Sequence, residues 1–383
     1  MDFNLSKEQI EICKSIEEFS RKKLNENVFT NDDEGLFSCE KWKACGYMGI
    51  HGLPVPEEYG GSGQDMLTTA LAIKSLAHGC KDEGLVFSIC AQMLTCTVPI
   101  LIFGNEAQKA AYLNKLSSGE LIGGNGITEP DAGSDAPSIN TTVLKTDDAY
   151  IINGTKIFVT NGPIADLLII YAKHPNGMSM ANISAFIIEK GDNGFKAGQE
   201  FKKMGLRTSP TGEIILDNCK LSHESLLGRE KLGMLVFNKS MLWERIIMGA
   251  YHVGAMEQQY RTALEYAGLR KQFGQQIIKF SSISDKLVEM KMRIETSKLM
   301  LYKACWDYDN GNATLPQASM VKLLTSESKV KNSLDAAQIF GAYGYMKEYD
   351  VEKQLRDSIA ARIYSGTSEI QRKIISESLE VML

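Results

Sequence analysis

The segment Thr141-Thr142-Val143-Leu144-Lys145-Thr146-Asp147-Asp148-Ala149-Tyr150-Ile151-Ile152-Asn153-Gly154-Thr155-Lys156-Ile157-Phe158-Val159-Thr160-Asn161-Gly162 decides the architecture. Runs rich in β-branched and aromatic residues occupy 141–146, 150–152 and 156–160. Asp147-Asp148, Asn153-Gly154 and Asn161-Gly162 read as the turns between them. The same texture continues through 167–172, 183–189 and 213–216, with another turn signal at Asn176-Gly177. No helical periodicity separates these strands. The spacing therefore predicts an antiparallel sheet or small barrel rather than parallel strands joined by crossover helices.

Helical patterns lie on both sides. Leu5, Ile10, Ile12, Ile16, Phe19 and Leu24 approximate one stripe, and 66–78 and 85–103 read as longer apolar helices, interrupted by a Pro- and Gly-rich loop at 53–63. After residue 211 the only proline is Pro316, and 231–268, 280–309, 316–340 and 367–380 carry the 3.6-residue repeat of a bundle. The fold class expected is α+β, mainly α. It comprises an N-terminal helical domain (1–120), a central antiparallel β-barrel domain (121–233) and a C-terminal four-helix bundle (234–383).

Composition narrows the function. The 383 residues carry 42 Lys+Arg against 47 Asp+Glu, a formal charge of −5, which argues against sequence-independent nucleic-acid binding. A hydrophobic content of 44% with 23% charged residues excludes general disorder. Read along the chain, no apolar run is expected to reach the ~20 residues of a membrane span. Met1–Gln9 lacks a signal-peptide core, so a cytoplasmic protein is expected. The eight cysteines form no CxxC pair and read as reduced core thiols, and the five histidines share no ligand spacing, so no metal site is expected.

Neither GxGxxG nor GxxxxGK[ST] is present, so a dinucleotide would have to be held in some other way. Three segments of the central region carry polar and aromatic groups that could border a heterocycle. They are Gly126-Ile127-Thr128-Glu129-Pro130-Asp131-Ala132-Gly133-Ser134-Asp135, Phe158-Val159-Thr160-Asn161-Gly162 and Lys203-Met204-Gly205-Leu206-Arg207-Thr208-Ser209. Composition alone also allows the first to be a plain loop entering the β domain.

With these, the segments Arg270-Lys271-Gln272-Phe273-Gly274, Gln338-Ile339-Phe340-Gly341-Ala342-Tyr343-Gly344 and Tyr364-Ser365-Gly366-Thr367-Ser368-Glu369-Ile370-Gln371-Arg372 make six stretches in order. Together they resemble the acyl-CoA dehydrogenase flavoproteins over nearly the whole chain. The resemblance implies FAD. Ile127, Thr128, Gly133 and Ser134 would border the flavin pyrimidine and pyrophosphate. Phe158, where tryptophan is more usual, and Thr160 would flank the isoalloxazine. Arg270, Phe273, Gln338, Gly341 and Gly344 would clasp the adenosine end from a neighbouring subunit of a homotetramer. Thr367 and Glu369 match further FAD contacts, and Arg245, Tyr364 and Gly366 fall at substrate-side positions.

One departure carries the chemistry. Most members place a catalytic glutamate directly before the Gly-Thr pair, and here that position is Ser365. An alternative carboxylate is Glu244, which has Phe237, Met241, Ile247, Met248 and Tyr251 at −7, −3, +3, +4 and +7 along a helix. Desolvation on such a stripe raises a carboxyl pKa toward that of a base working near neutrality, although a buried salt bridge is the other reading of the same pattern. A minority of the family, including the isovaleryl- and long-chain acyl-CoA dehydrogenases, carries its base on this helix with a small residue at the other position. The resemblance thus implies that Glu244 removes the α-proton of an acyl thioester while a hydride leaves the β-carbon for flavin N5. The Ser365 backbone N–H would be one donor to the developing enolate, a contribution of ~3–4 kcal/mol, and its side chain is expected to matter little.

The handle on the thioester is read from two further departures. Asn218-Cys219-Lys220-Leu221-Ser222-His223-Glu224 and Ile375-Ser376-Glu377 differ from the pattern of CoA-dependent members. The chain looks most like the flavoproteins that oxidise a prolyl group on a carrier protein, as in pyrrole and anatoxin biosynthesis. Oxygen or an electron-transfer flavoprotein would be the acceptor. The alternatives are a short or branched-chain acyl-CoA dehydrogenase, a flavin monooxygenase on the same fold, and a scaffold without flavin.

Overall fold

A computed structural model describes residues 4–175 and 182–380. The turn expected at Asn176-Gly177 lies outside the described residues. Helices α1 (Lys7–Lys23), α2 (Val28–Glu34), α3 (Cys39–Tyr47), α4 (Met66–Gly79), α5 (Glu83–Gln92), α6 (Val98–Phe103) and α7 (Glu106–Ser118) come first. Most of their starts carry side-chain caps, α2 and α6 being the exceptions. Ser6 and Gln9 form a reciprocal box at α1, Asp65 caps α4, Asp82 caps α5, and Asn105 and Gln108 form a second box at α7.

A π-turn at Met93–Thr97 joins α5 to α6 and makes one apolar rod, Glu83–Phe103, of 21 residues. This corrects the expectation that no apolar run reaches membrane length. Glu83, Ser88, Gln92, Thr95 and Thr97 break the run to the eye, yet its mean hydropathy is 2.1 over the most apolar window. That window is 83% buried within the fold, as a core helix is.

The central strands are β1 (Gly123–Gly126), β2 (Thr142–Lys145), β3 (Tyr150–Thr160), β4 (Leu167–Lys173), β5 (Ile183–Glu189), β6 (Phe195–Glu200), β7 (Thr211–Leu221) and β8 (Leu226–Leu227). They pair in the order β6-β7-β3-β2-β4-β5-β8, with β1 on β4. Three expectations change here. The sheet is mixed, because β1 and β2 each run parallel to β4, and among the described residues β6 and β8 end the path without closing a barrel. Asn153-Gly154 is not a turn but a bulge inside β3, where a Cβ on Gly154 would come within 2.3 Å of the Thr141 hydroxyl.

The helices that follow are α8 (Gly233–Leu269), α9 (Ser281–Asp309), α10 (Leu315–Phe340), α11 (Asp350–Ile359) and α12 (Ser368–Glu380). The sequence reading missed α11. One apolar core runs through α1, α4 and α5 into α8, α9 and α10, joining Leu76, Ile89 and Leu94 to Ile246, Tyr251, Leu301 and Val321. The two helical regions thus pack as one body, with α8 at the centre. Of residues 240–256, Glu244 alone escapes full burial.

Candidate active site

A residue that stays partly open on an otherwise buried length of helix marks where the site begins. Glu244 forms no salt bridge among the described residues, unlike Glu129 and Glu83, which are buried against Lys156 and Lys329. That removes the buried-pair reading. Burial raises its carboxyl above the ordinary range, opposed by the Ser365 hydroxyl and by the charges of Arg245 and Lys322. The Ser365 hydroxyl donates to Glu244 Oε1 at 2.6 Å. The sequence expectation placed weight on the Ser365 backbone alone; the structure adds this side-chain contact between residues 121 positions apart, a separation that hid it from the sequence.

The turn that carries Ser365 is gripped from beneath. Arg245 Nε donates to Ser365 O at 3.3 Å and Gln371 Nε2 to the same oxygen at 3.0 Å. Gln371 Nε2 and Lys322 Nζ donate to Gly366 O at 2.8 and 2.7 Å. Arg245 also reaches Ser319 Oγ at 3.3 Å, so the guanidinium carried over as a substrate-side group spends these bonds on the protein. Ser365 sits at φ 57° and Gly366 at φ 87°, both left-handed. Among the described residues no acceptor takes the Ser365 N–H. Tyr364 is fixed one residue earlier. Its hydroxyl lies 2.6 Å from His252 Nε2, and its ring packs against Phe87 with centroids 4.7 Å apart.

Lys322 was not singled out by sequence, because one lysine in Val321-Lys322-Leu323 reads as a helix-face charge. Burial, aided by Arg245, pulls its ammonium down to about 7.

The β-domain residues also come together. Ile157 N–H donates to Thr128 O at 2.9 Å, and Lys156 Nζ donates to Ile127 O at 3.3 Å. This ties the 126–135 loop to the second bulge of β3, between Lys156 and Val159. That bulge holds Phe158 at φ 54° and turns its ring outward, 63% exposed, against Phe201 at 5.3 Å. Phe201 is a further residue the sequence reading missed, an aromatic just ahead of Lys203. Thr160 is half-buried two residues on, Ile127 and Thr128 are half-buried, and Gly133 and Ser134 are exposed. These groups could border a planar heterocycle.

A second group lies elsewhere. Arg270, Phe273 and Gly341 line a cavity of about 470 Å³ with Tyr266, Phe340 and Tyr343. The Arg270 guanidinium stands 5.4 Å over the Tyr343 ring, and Phe273 is 94% exposed. Gly341 takes φ 61°, and a side chain on Gly344 would strike Ala337 O at 2.4 Å. Gln338 is exposed and does not line the cavity. Glu244 and Arg270 are 26 residues apart on α8 and its cap, roughly 39 Å at 1.5 Å per residue. At the far turn Thr367 is half-buried and Glu369 exposed.

Residues 6–120 match the acyl-CoA dehydrogenase N-terminal domain, 124–219 its middle domain and 231–380 its C-terminal domain. The chain belongs to the acyl-CoA dehydrogenase family. Within that family it is 41% identical over 380 residues to an L-prolyl-[peptidyl-carrier protein] dehydrogenase of Serratia sp., covering 99% of this chain and 98% of that protein. The crystal structure of the prolyl acyl carrier protein oxidase AnaB superposes with a TM-score of 0.96 at 43% identity, covering 98% of this chain and 100% of that one. A structure described as PigA with FAD and proline gives 0.97 at 39% identity, with all of both chains covered. In this acyl-CoA dehydrogenase family member the Ser365 hydroxyl is thus bonded to Glu244, a carboxylate from the central helix.

Proposed function

We propose that the protein is an FAD-dependent dehydrogenase that removes hydrogens from Cα and Cβ of a prolyl group held as a thioester on a carrier protein. The observation that carries this reading is Glu244: half-buried, raised by burial, and, among the described residues, free of a salt bridge and beside an amide with no acceptor. The prolyl handle is supported by the similarity to the Serratia dehydrogenase and to AnaB and PigA.

The residues present fit a flavin dinucleotide. Phe158 offers an open aromatic face beside Thr160 and the 127–134 loop. FAD, when bound there, supplies the hydride acceptor. Glu244 takes the α-proton, and the Ser365 N–H holds the thioester oxygen as charge develops on it. Tyr364, Arg245, Lys322 and Gln371 fix that amide in place.

The adenosine end belongs to the Arg270 cavity of a second subunit in a homotetramer, since the first subunit's own Arg270 is some 39 Å along α8 from its Glu244. Arg270→Ala is expected to lose most of its bound FAD or to fall to a smaller assembly, read by flavin absorbance per chain and by light scattering. Full FAD in an intact assembly would count against the clasp. A cytoplasmic location is part of the proposal, supported by eight cysteines that are all free thiols.

The test of substrate is incubation with prolyl-loaded carrier and, separately, with a panel of acyl-CoAs, followed by intact mass. Loss of two hydrogens from the loaded carrier alone is the expected result. Turnover confined to free acyl-CoA would make the protein a catabolic short or branched-chain enzyme. Running the same assay without air separates oxygen from an electron-transfer flavoprotein as acceptor.

A further inference from the structure

We infer that the Ser365 hydroxyl is a positioning group for the base: it holds the Glu244 carboxylate in one orientation and sets how readily that carboxylate ionises. The inference rests on the reading of Glu244 as the proton acceptor.

Three observations carry it. The hydroxyl-to-carboxylate bond is 2.6 Å, short and charge-assisted once Glu244 is ionised. The residue making it is a non-glycine in the left-handed region, φ 57°, where glycine would be unstrained. The turn is held in that conformation by four donor contacts on its two carbonyls, from Arg245, Gln371 and Lys322. A serine kept in a conformation that suits glycine, with its hydroxyl aimed at the one carboxylate in the buried length of α8, has a use for the hydroxyl. One turn residue then serves both reacting atoms: its side chain steadies the base and its amide faces the thioester oxygen.

Several groups surround Glu244. Arg245 on its own helix stays cationic near neutrality, and burial with the Arg245 charge pulls Lys322 on α10 down to about 7. Cys90 on α5, Tyr171 on β4 and Tyr364 are all pushed up by burial and stay neutral. Every one of them is unchanged when only the Ser365 side chain is replaced. A shift in the Glu244 titration between wild type and variant therefore reports the hydroxyl.

The sign follows from the chemistry. A donor to the carboxylate favours the ionised form, so its loss raises the pKa. The base works only when ionised, so the acid limb of the rate profile moves to higher pH. About one pH unit is expected, equal to a tenfold loss on the acid side of the limb.

The experiment uses FAD-loaded Ser365→Ala and Ser365→Gly. Both lack the hydroxyl, and only glycine relieves the backbone, so equal shifts in the two assign the effect to the hydroxyl. The readouts are the pH profile of kcat/KM and, independently of turnover, infrared titration of the Glu244 carboxyl in each protein against the same protein carrying Glu244→Gln. Ser365→Thr, which restores a hydroxyl, should return the limb toward wild type. An unmoved limb and unmoved carboxyl titration in both variants would overturn the inference. If Glu244→Gln itself remains fully active, the base assignment has failed instead.

Discussion

Glu244→Gln is expected to bind FAD normally and to lose turnover by at least about 10²–10⁴-fold, the usual contribution of a positioned proton acceptor. The amide nearly matches the carboxylate in size and can still accept from the Ser365 hydroxyl, so the turn need not move. Only the basicity is removed. Flavin absorbance and stopped-flow reduction by prolyl-loaded carrier check the two halves, and wild-type reduction rates in the variant would end the base assignment.

A second effect has the opposite sign. The Glu244 pKa is raised in the folded protein, first by burial, so the native state holds this proton more tightly than the unfolded chain does. Stability is then lost as pH rises from the ordinary carboxylate range through the raised value. Glu244→Gln escapes that loss and should melt above wild type at neutral pH, with the difference vanishing in acid. An inactive yet more stable protein is the pattern of a carboxylate kept for chemistry rather than for folding.

The helix–sheet–helix order was legible in the sequence because helix and strand periodicities differ and turn residues recur at short intervals in the middle. Glu244 was legible for a related reason: a charge within a 3.6-residue apolar stripe is conspicuous. What escaped depends on long-range approach. The Ser365 hydroxyl, Gln371 and Lys322 acquire meaning only when α8, α10 and the 364–366 turn converge. Helix α11 is short and follows the irregular stretch 341–348, so its stripe had too few repeats to stand out. Asn153-Gly154 misled because its turn chemistry serves a bulge, with the strand continuing on both sides. The core shared by the N- and C-terminal helices has no local sign at all, since partners such as Leu76 and Ile246 stand far apart in the chain.

The largest stability loss is expected from Lys329→Met. Lys329 and Glu83 form an ion pair at the centre of that shared core, with side chains 0% and 3% exposed, and Tyr251 bonds to both. Glu83 Oε1 has no hydrogen-bond partner among the described residues, so the carboxylate already depends on Lys329 and Tyr251. Removing the ammonium leaves an uncompensated charge out of water, which costs about 3–5 kcal/mol. The drop should appear as a lower melting temperature at fixed protein and FAD concentrations, since ligand and assembly both shift that temperature. Pairing the change with Glu83→Gln removes the stranded charge, and the double variant should recover much of the loss, because the two residues are in contact and their effects are not additive. Recovery separates the stranded charge from poor packing of methionine, which would persist in both. Equal destabilisation of single and double variants would mean that side-chain fit, and not electrostatics, holds α5 to α10.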